Sequence, residues 1–164
     1  MGWTVNQQDQ IRAKRLETLR GAMAAAGFDG WIIGREDMYQ GEEVPAGDER
    51  LAYLSGFTGS AGFGVVLGDR AALFSDGRYS LQMPAQTNSS AWDCNTIPDV
   101  TCEDWLKTVG LASGAIIAID GRLVTVSGFR RLEKSVLAAG GTLVYHNENL
   151  LDQQWHDRPA LPPA

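Results

Sequence analysis

Apolar residues recur at helical spacing early in the chain. Leu16, Leu19, Met23 and Ala26 fall on one face and Arg12, Arg15, Glu17 and Arg20 on the other, which predicts a helix from about Asp9 to Ala26. Asn6 or Asp9 is placed to cap its start and Gly27 to stop it. The next run, Gly30-Trp31-Ile32-Ile33-Gly34, is apolar between glycines and reads as a buried strand. From Arg35 to Asp48 the chain turns polar, with Pro45 and Gly47, and is expected as a long loop with room for a function. Gly64–Leu67 and Arg70–Phe74 read as strands joined by a two-residue turn, Gly68-Asp69, where glycine accepts positive φ. A helix is then expected from Gly77 towards Met83, capped by Asp76 and ended by Pro84.

The second half alternates more regularly. Trp92 to Ile97 reads as a strand, and Glu103 to Val109 as a helix capped by Thr101 and ended by Gly110. Ala115-Ile116-Ile117-Ala118-Ile119 is apolar on both faces, as a central strand should be. Phe129, Leu132, Val136 and Ala139 return to helical spacing, with Ser127 as the expected cap and Gly140-Gly141 as the stop. Thr142–Tyr145 is a final strand. Strands alternating with helices predict an α/β fold, and the hairpin makes its sheet mixed, flanked by helices. The proline-rich end, Arg158 to Ala164, suits neither element and is expected as a linker after a domain spanning 1–157.

Composition narrows the function. One hundred and sixty-four residues suit one domain with its own core. Fourteen basic and 20 acidic residues give a charge of −6, the wrong sign for a nucleic-acid partner. No apolar run is long enough to span a bilayer, and the stretch from Met1 to Asn6 lacks the basic and apolar regions of a secretory signal, so a cytoplasmic location and no membrane partner are expected. Cys94 and Cys102 have no second pair to complete a metal site and are expected as reduced thiols.

Chemistry-bearing candidates are few. The stretch Ser55-Gly56-Phe57-Thr58-Gly59-Ser60-Ala61-Gly62-Phe63-Gly64 is glycine-rich, yet it lacks the Gly-Lys-Ser/Thr of a P-loop and feeds a strand rather than a helix. Tight packing is the simpler reading, and phosphate binding by residues 56–64 is the alternative. Asp76-Gly77-Arg78-Tyr79 reads as a capped helix start from which Arg78 projects, and a guanidinium fork suits a peptide carboxylate. Glu42 and Glu43 are paired acids in the long loop, where one carboxylate could meet a substrate amine. Neither a Ser-His-Asp set nor a carboxylate–histidine cluster with metal-ligand spacing is visible, so the chain's own residues do not look catalytic.

Three stretches together resemble aminopeptidase P of the creatinase/prolidase superfamily: Asp48–Gly62 (DERLAYLSGFTGSAG), Ala71–Gln82 (AALFSDGRYSLQ) and Asn149–Pro162 (NLLDQQWHDRPALP), with Glu103-Asp104-Trp105-Leu106 between them. The resemblance runs from about Leu16 to the end and implies the amino-terminal, creatinase-like domain of the three-domain form, with a ribonuclease H-like motif. These enzymes release the N-terminal residue of peptides with proline in second position, using two divalent metal ions, usually manganese, on a separate catalytic domain. None of those metal ligands matches a position here. The resemblance implies a non-catalytic domain that shapes substrate access, with its own catalytic domain as partner and a cytoplasmic homodimer as the full-length state. The family's Asp-Gly-Arg-Tyr arginine matches Arg78 and a glutamate ahead of Arg50 matches Glu42, which gives both an expected role in substrate binding. A free-standing binding or scaffold module, and a nucleotide-binding domain using loop 56–64, are the alternatives.

Overall fold

A computed structural model describes residue 2 and residues 4–163; Met1 and Trp3 of the amino-terminal stretch and Ala164 of the expected linker lie outside the described residues. The chain runs α1 (Val5–Ala26), β1 (Gly30–Gly34), α2 (Arg50–Ser55), β2 (Phe63–Leu67), β3 (Ala71–Ser75), α3 (Gln82–Gln86), β4 (Asp93–Thr96), α4 (Cys102–Val109), β5 (Ile116–Asp120), α5 (Val126–Ala138), β6 (Thr142–His146) and α6 (Leu150–Gln154). The six strands form one mixed sheet in the order β4-β3-β2-β1-β5-β6. Only β2 runs against the others: it is antiparallel to both β1 and β3, whereas β1–β5, β5–β6 and β3–β4 are parallel.

Strand periodicity divides the core into two layers. Trp31, Ile33, Val66, Leu73 and Ala118 face Leu16, Leu19 and Met23 of α1, Leu51 and Leu54 of α2, and Leu150 and Leu151 of α6. Ile32, Val65, Phe74, Ile117 and Ile119 face Trp105 and Leu106 of α4 and Val136 of α5. Burial on both faces is the reason these strands read as continuous apolar runs rather than alternating ones.

Several helix ends differ from the expectation. The first helix starts at Val5, because Thr4 forms a capping box: its hydroxyl accepts from Gln7 N–H (3.2 Å) and the Gln7 side chain accepts from Thr4 N–H (2.9 Å). Thr125, not Ser127, caps α5, accepting from Gly128 N–H at 3.0 Å. The single helix expected from Gly77 is a 3-10 turn, Gly77–Tyr79, followed by α3. Pro84 does not end that helix; it sits in the first turn, where no intrahelical N–H bond is lost. Arg12, Arg15 and Arg20 of the polar face of α1 fold back to donate to the carbonyls of Gln86, Tyr53 and Leu67.

Two polar clusters fix the ends of the second half. Buried Arg50 donates from Nε to Asp152 Oδ1 (2.7 Å) and from Nη2 to Asp152 Oδ2 (3.1 Å). Its Nη1 lies 3.2 Å from Asp48, off the N–H axis, and so makes a charge contact rather than a hydrogen bond. Arg158 closes the square, with 2.9 Å to Asp48 and 3.2 Å to Asp152. At the end of β5, buried Asp120 accepts from the backbone N–H (3.0 Å), Nε (3.1 Å) and Nη2 (2.9 Å) of Arg122, and from Asn149 Nδ2 (3.2 Å). Burial alone would push the Asp120 carboxyl up; the Arg122 and Asn149 hydrogen bonds outweigh it and hold it below its ordinary value.

Arg50→Met should lower the unfolding free energy by about 3 kcal/mol, since it strips two partly buried carboxylates of a partner. Urea denaturation measures this, and a loss below about 0.5 kcal/mol would place the cluster with weak surface pairs. For Asp120 the folded value is depressed, so its contribution is present above the ordinary 3.8 and is lost as pH falls through the folded value. The stability gap between the chain and Asp120→Asn should therefore hold steady near neutrality and narrow below about pH 4. A gap that persists unchanged into that acid range would contradict it.

Candidate functional site

Because five of the six strands run in one direction, their carboxyl ends and the amino end of β2 meet on one side of the sheet. The loop after β1, the glycine-rich loop before β2 and the turn after β3 all emerge there. In open α/β sheets this is the side on which ligands bind.

Arg78 stands on the turn after β3. Asp76 accepts its backbone N–H (3.0 Å) and also holds the side chain, Nε at 3.0 Å and Nη2 at 2.9 Å. These hydrogen bonds raise the Arg78 pKa and lower that of Asp76. The arginine side chain is 66% exposed, with the Tyr79 ring 5.2 Å from its guanidinium carbon. Its position is therefore fixed by the cap while its outer edge stays open to solvent. Glu42 lies on the exposed bend after β1, where its carbonyl accepts from Arg35 at 3.3 Å. No hydrogen bond joins Arg78 to Glu42 among the described residues. The two share the same end of the sheet and are separated by β2, so their strands stand roughly 10 Å apart.

The glycine-rich loop packs against β3 and the turn that carries Arg78. Three of its N–H groups are already engaged: Phe57 with Ser55 Oγ (3.1 Å), Thr58 with Gln86 Oε1 (3.0 Å) and Ser60 with the Tyr79 hydroxyl (3.0 Å). Gly62, at φ +146°, passes so close to β3 that a Cβ would lie 2.9 Å from the Phe74 carbonyl. Gly59 lies against the Phe57 and Tyr79 rings. The glycines serve close packing, and the engaged N–H groups are unavailable to a phosphate. The loop instead steadies Tyr79, next to Arg78: hydrogen bonding from Ser60 draws the phenol pKa down.

A second feature escaped the sequence reading although its signal was present. Asp120-Gly121-Arg122 repeats the tripeptide of 76–78, and the structure repeats its geometry: carboxylate to backbone N–H, Nε and Nη2, at the end of a parallel strand. Asp120 and Asn149 also line a cavity of about 390 Å³ under α4 and α5, with Ile32, Phe63 and Leu132. Cys102 faces the same cavity, its thiol pushed up to about 12 by burial. Cys94 and Cys102 are both free.

The residues present do not fit a metal pair. Among the described residues, no three of His, Cys, Asp and Glu gather in a way that could hold an ion. Asp48 and Asp152, which share two arginine partners, are occupied by Arg50 and Arg158. No helix is long and apolar enough to cross a membrane among those residues.

The same arrangement recurs in known proteins. Residues 15–152 match the family model of the creatinase/prolidase N-terminal domain. A probable Xaa-Pro aminopeptidase P of Aspergillus fumigatus is 37% identical over 155 residues, covering 91% of this chain and 23% of that protein. Aminopeptidase P2 of Arabidopsis thaliana is 41% identical over 142 residues, covering 84% and 20%. The chain thus spans under a quarter of the length of these relatives. Among solved structures, an X-prolyl aminopeptidase from Caenorhabditis elegans, described as a cytosolic enzyme with a di-nuclear active site, superposes with a TM-score of 0.81 at 31% identity over 92% of this chain and 26% of that one. The N-terminal domain of the cytoplasmic peptidase PepQ from Mycobacterium tuberculosis matches with a TM-score of 0.64 at 25% identity, over 85% of this chain and 97% of that one. The mixed six-stranded sheet and the family match over residues 15–152 lead to one conclusion: this chain belongs to the creatinase/prolidase N-terminal domain family.

Proposed function

We propose that this chain is the non-catalytic amino-terminal domain of a longer, metal-dependent Xaa-Pro aminopeptidase, and that it shapes access of peptides with proline in second position. The observation that carries this reading is the asymmetry of the match: 91% of the chain falls on 23% of an Xaa-Pro aminopeptidase P. The di-nuclear site described for the Caenorhabditis elegans enzyme supports placing the metals, manganese in this reading, in the part of the protein that lies beyond the match. A metal pair held in that part would supply the Lewis-acid chemistry of peptide hydrolysis. Residues 158–164 serve as the linker towards it. The cytosolic description of that relative supports a cytoplasmic enzyme, and a homodimer is the assembly we expect.

Within this domain Arg78 and Glu42 contribute to substrate binding. Arg78 suits a carboxylate because its fork is held from behind by Asp76 and keeps an open edge, so little side-chain freedom is lost on binding. Glu42 offers an exposed carboxylate to a peptide amine from the neighbouring loop. Neither residue transfers a proton or touches the metals in this scheme; both hold peptide ends.

Kinetics of Arg-Pro-Pro hydrolysis with the longer polypeptide and Arg78→Ala test the reading. Loss of one charge-assisted contact should lower kcat/KM by roughly thirtyfold, about 2 kcal/mol, with metal content unchanged. The 164-residue chain alone should release no arginine when manganese is added. Wild-type kinetics in the variant would remove Arg78 from the site, and metal-dependent release by the short chain would overturn the assignment of catalysis to the rest of the protein.

A further inference from the structure

We infer that the groove between the loop after β1 and the carboxyl-terminal tail is the docking surface for the polypeptide that follows residue 164, and that the Asp48–Arg50–Asp152–Arg158 cluster sets its position. This inference rests on the proposed function, in which a further part of the enzyme follows this domain.

The groove has a volume of about 490 Å³ and is lined by Met38, Tyr39, Pro45, Leu161, Pro162 and Pro163. Met38 is 58% exposed, Tyr39 82% and Leu161 50%. Other exposed apolar residues, such as Val5, Val126 and Tyr145, belong to α1, α5 and β6 and do not line this groove. An apolar cluster with a polar rim is the usual mark of a contact surface.

The exposure is built in rather than incidental. Buried Asp37 accepts from the N–H groups of Tyr39 (3.0 Å) and Gly41 (3.1 Å), which fixes the turn that presents Met38 and Tyr39. Gln40 adopts φ +56°, the only positive value among the described non-glycine residues, and its side chain is tied to the Leu123 carbonyl at 3.0 Å. A strained turn that holds two large apolar side chains in solvent calls for something to cover them.

The occupant follows from where the chain goes. The other wall of the groove is the tail itself, and the tail is anchored. Arg158 binds Asp48, Asp152 and the Gly47 carbonyl, and the Pro159 carbonyl lies so close to Gly47 that any side chain there would collide with it. Leu161, Pro162 and Pro163 therefore leave the domain along the groove, on a path set by two arginine–aspartate pairs. A domain attached directly after them starts beside Met38 and Tyr39 at high effective concentration. Arg122, half exposed at the rim, gives that partner surface a place for a carboxylate.

Hydroxyl-radical footprinting of the 164-residue chain and of the longer polypeptide tests this. The short chain is a valid reference because both core layers are closed by its own elements, and the Mycobacterium tuberculosis relative is an N-terminal domain by itself. Modification of Met38 and Tyr39 should fall roughly tenfold in the longer chain, as for residues desolvated at an interface core, while exposed Tyr145 keeps its rate. Arg158→Ala in the longer chain should restore part of the Met38 and Tyr39 reactivity. Equal reactivity of these residues in the short and long chains would overturn the docking surface and leave the peptidase reading intact. A reading frame that stopped at residue 164 would remove the occupant, and both readings with it.

Discussion

The parallel pairing of β5 beside β1 is the contact on which the rest of the molecule depends. Its register, Gly30 with Ile117, Trp31 with Ala118 and Ile32 with Ile119, joins strands β1–β4 to strands β5 and β6. Paired residues share a core layer, Trp31 and Ala118 one and Ile32 and Ile119 the other, so a one-residue slip would exchange the two faces. The pairing also sets direction. With β5 parallel to β1, the turns after β1, β3, β5 and β6 open on one side, and the polar groups of interest collect there.

Much of the fold was legible in the sequence because burial on both faces leaves a strong pattern. Gly30–Gly34 and Ala115–Ile119 could be read from apolar continuity, and the Gly68-Asp69 hairpin from its turn residues; β1 matches as read, and β5 begins one residue later. Short elements were not legible. Helices α2 and α6 span six and five residues, too few for a helical period to repeat, and their Leu51, Leu54, Leu150 and Leu151 are buried with no sequence periodicity to announce it. The Thr4 cap was hidden because Asn6, Gln7 and Gln8 carry no apolar spacing. The arginines of α1 read only as a polar face, yet their long stems reach over the core edge to the Tyr53 and Leu67 carbonyls.

The candidate site was legible in identity but not in arrangement. The Asp-Gly-Arg motif located Arg78, and the cap predicted for Asp76 is present. What the sequence could not convey is that Asp76 grips the guanidinium as well as the backbone, or that Asp120 does the same to Arg122. The ion cluster was invisible for a different reason: Arg50 and Asp152 are 102 positions apart, and only the packing of α2 against α6 unites them. These placements describe a lobe whose charged groups position chain segments and, in the function we propose, hold peptide ends. Asp48, Asp120 and Asp152 are committed to arginines, and among the described residues no three metal-ligating side chains gather.

Metal retention tests that division of labour most directly. The purified 164-residue chain would be equilibrated with excess manganese, freed of unbound ion by gel filtration and analysed by plasma mass spectrometry. The account predicts metal far below one ion per chain. Retention of about two ions per chain, as a di-nuclear hydrolase holds them, would contradict it.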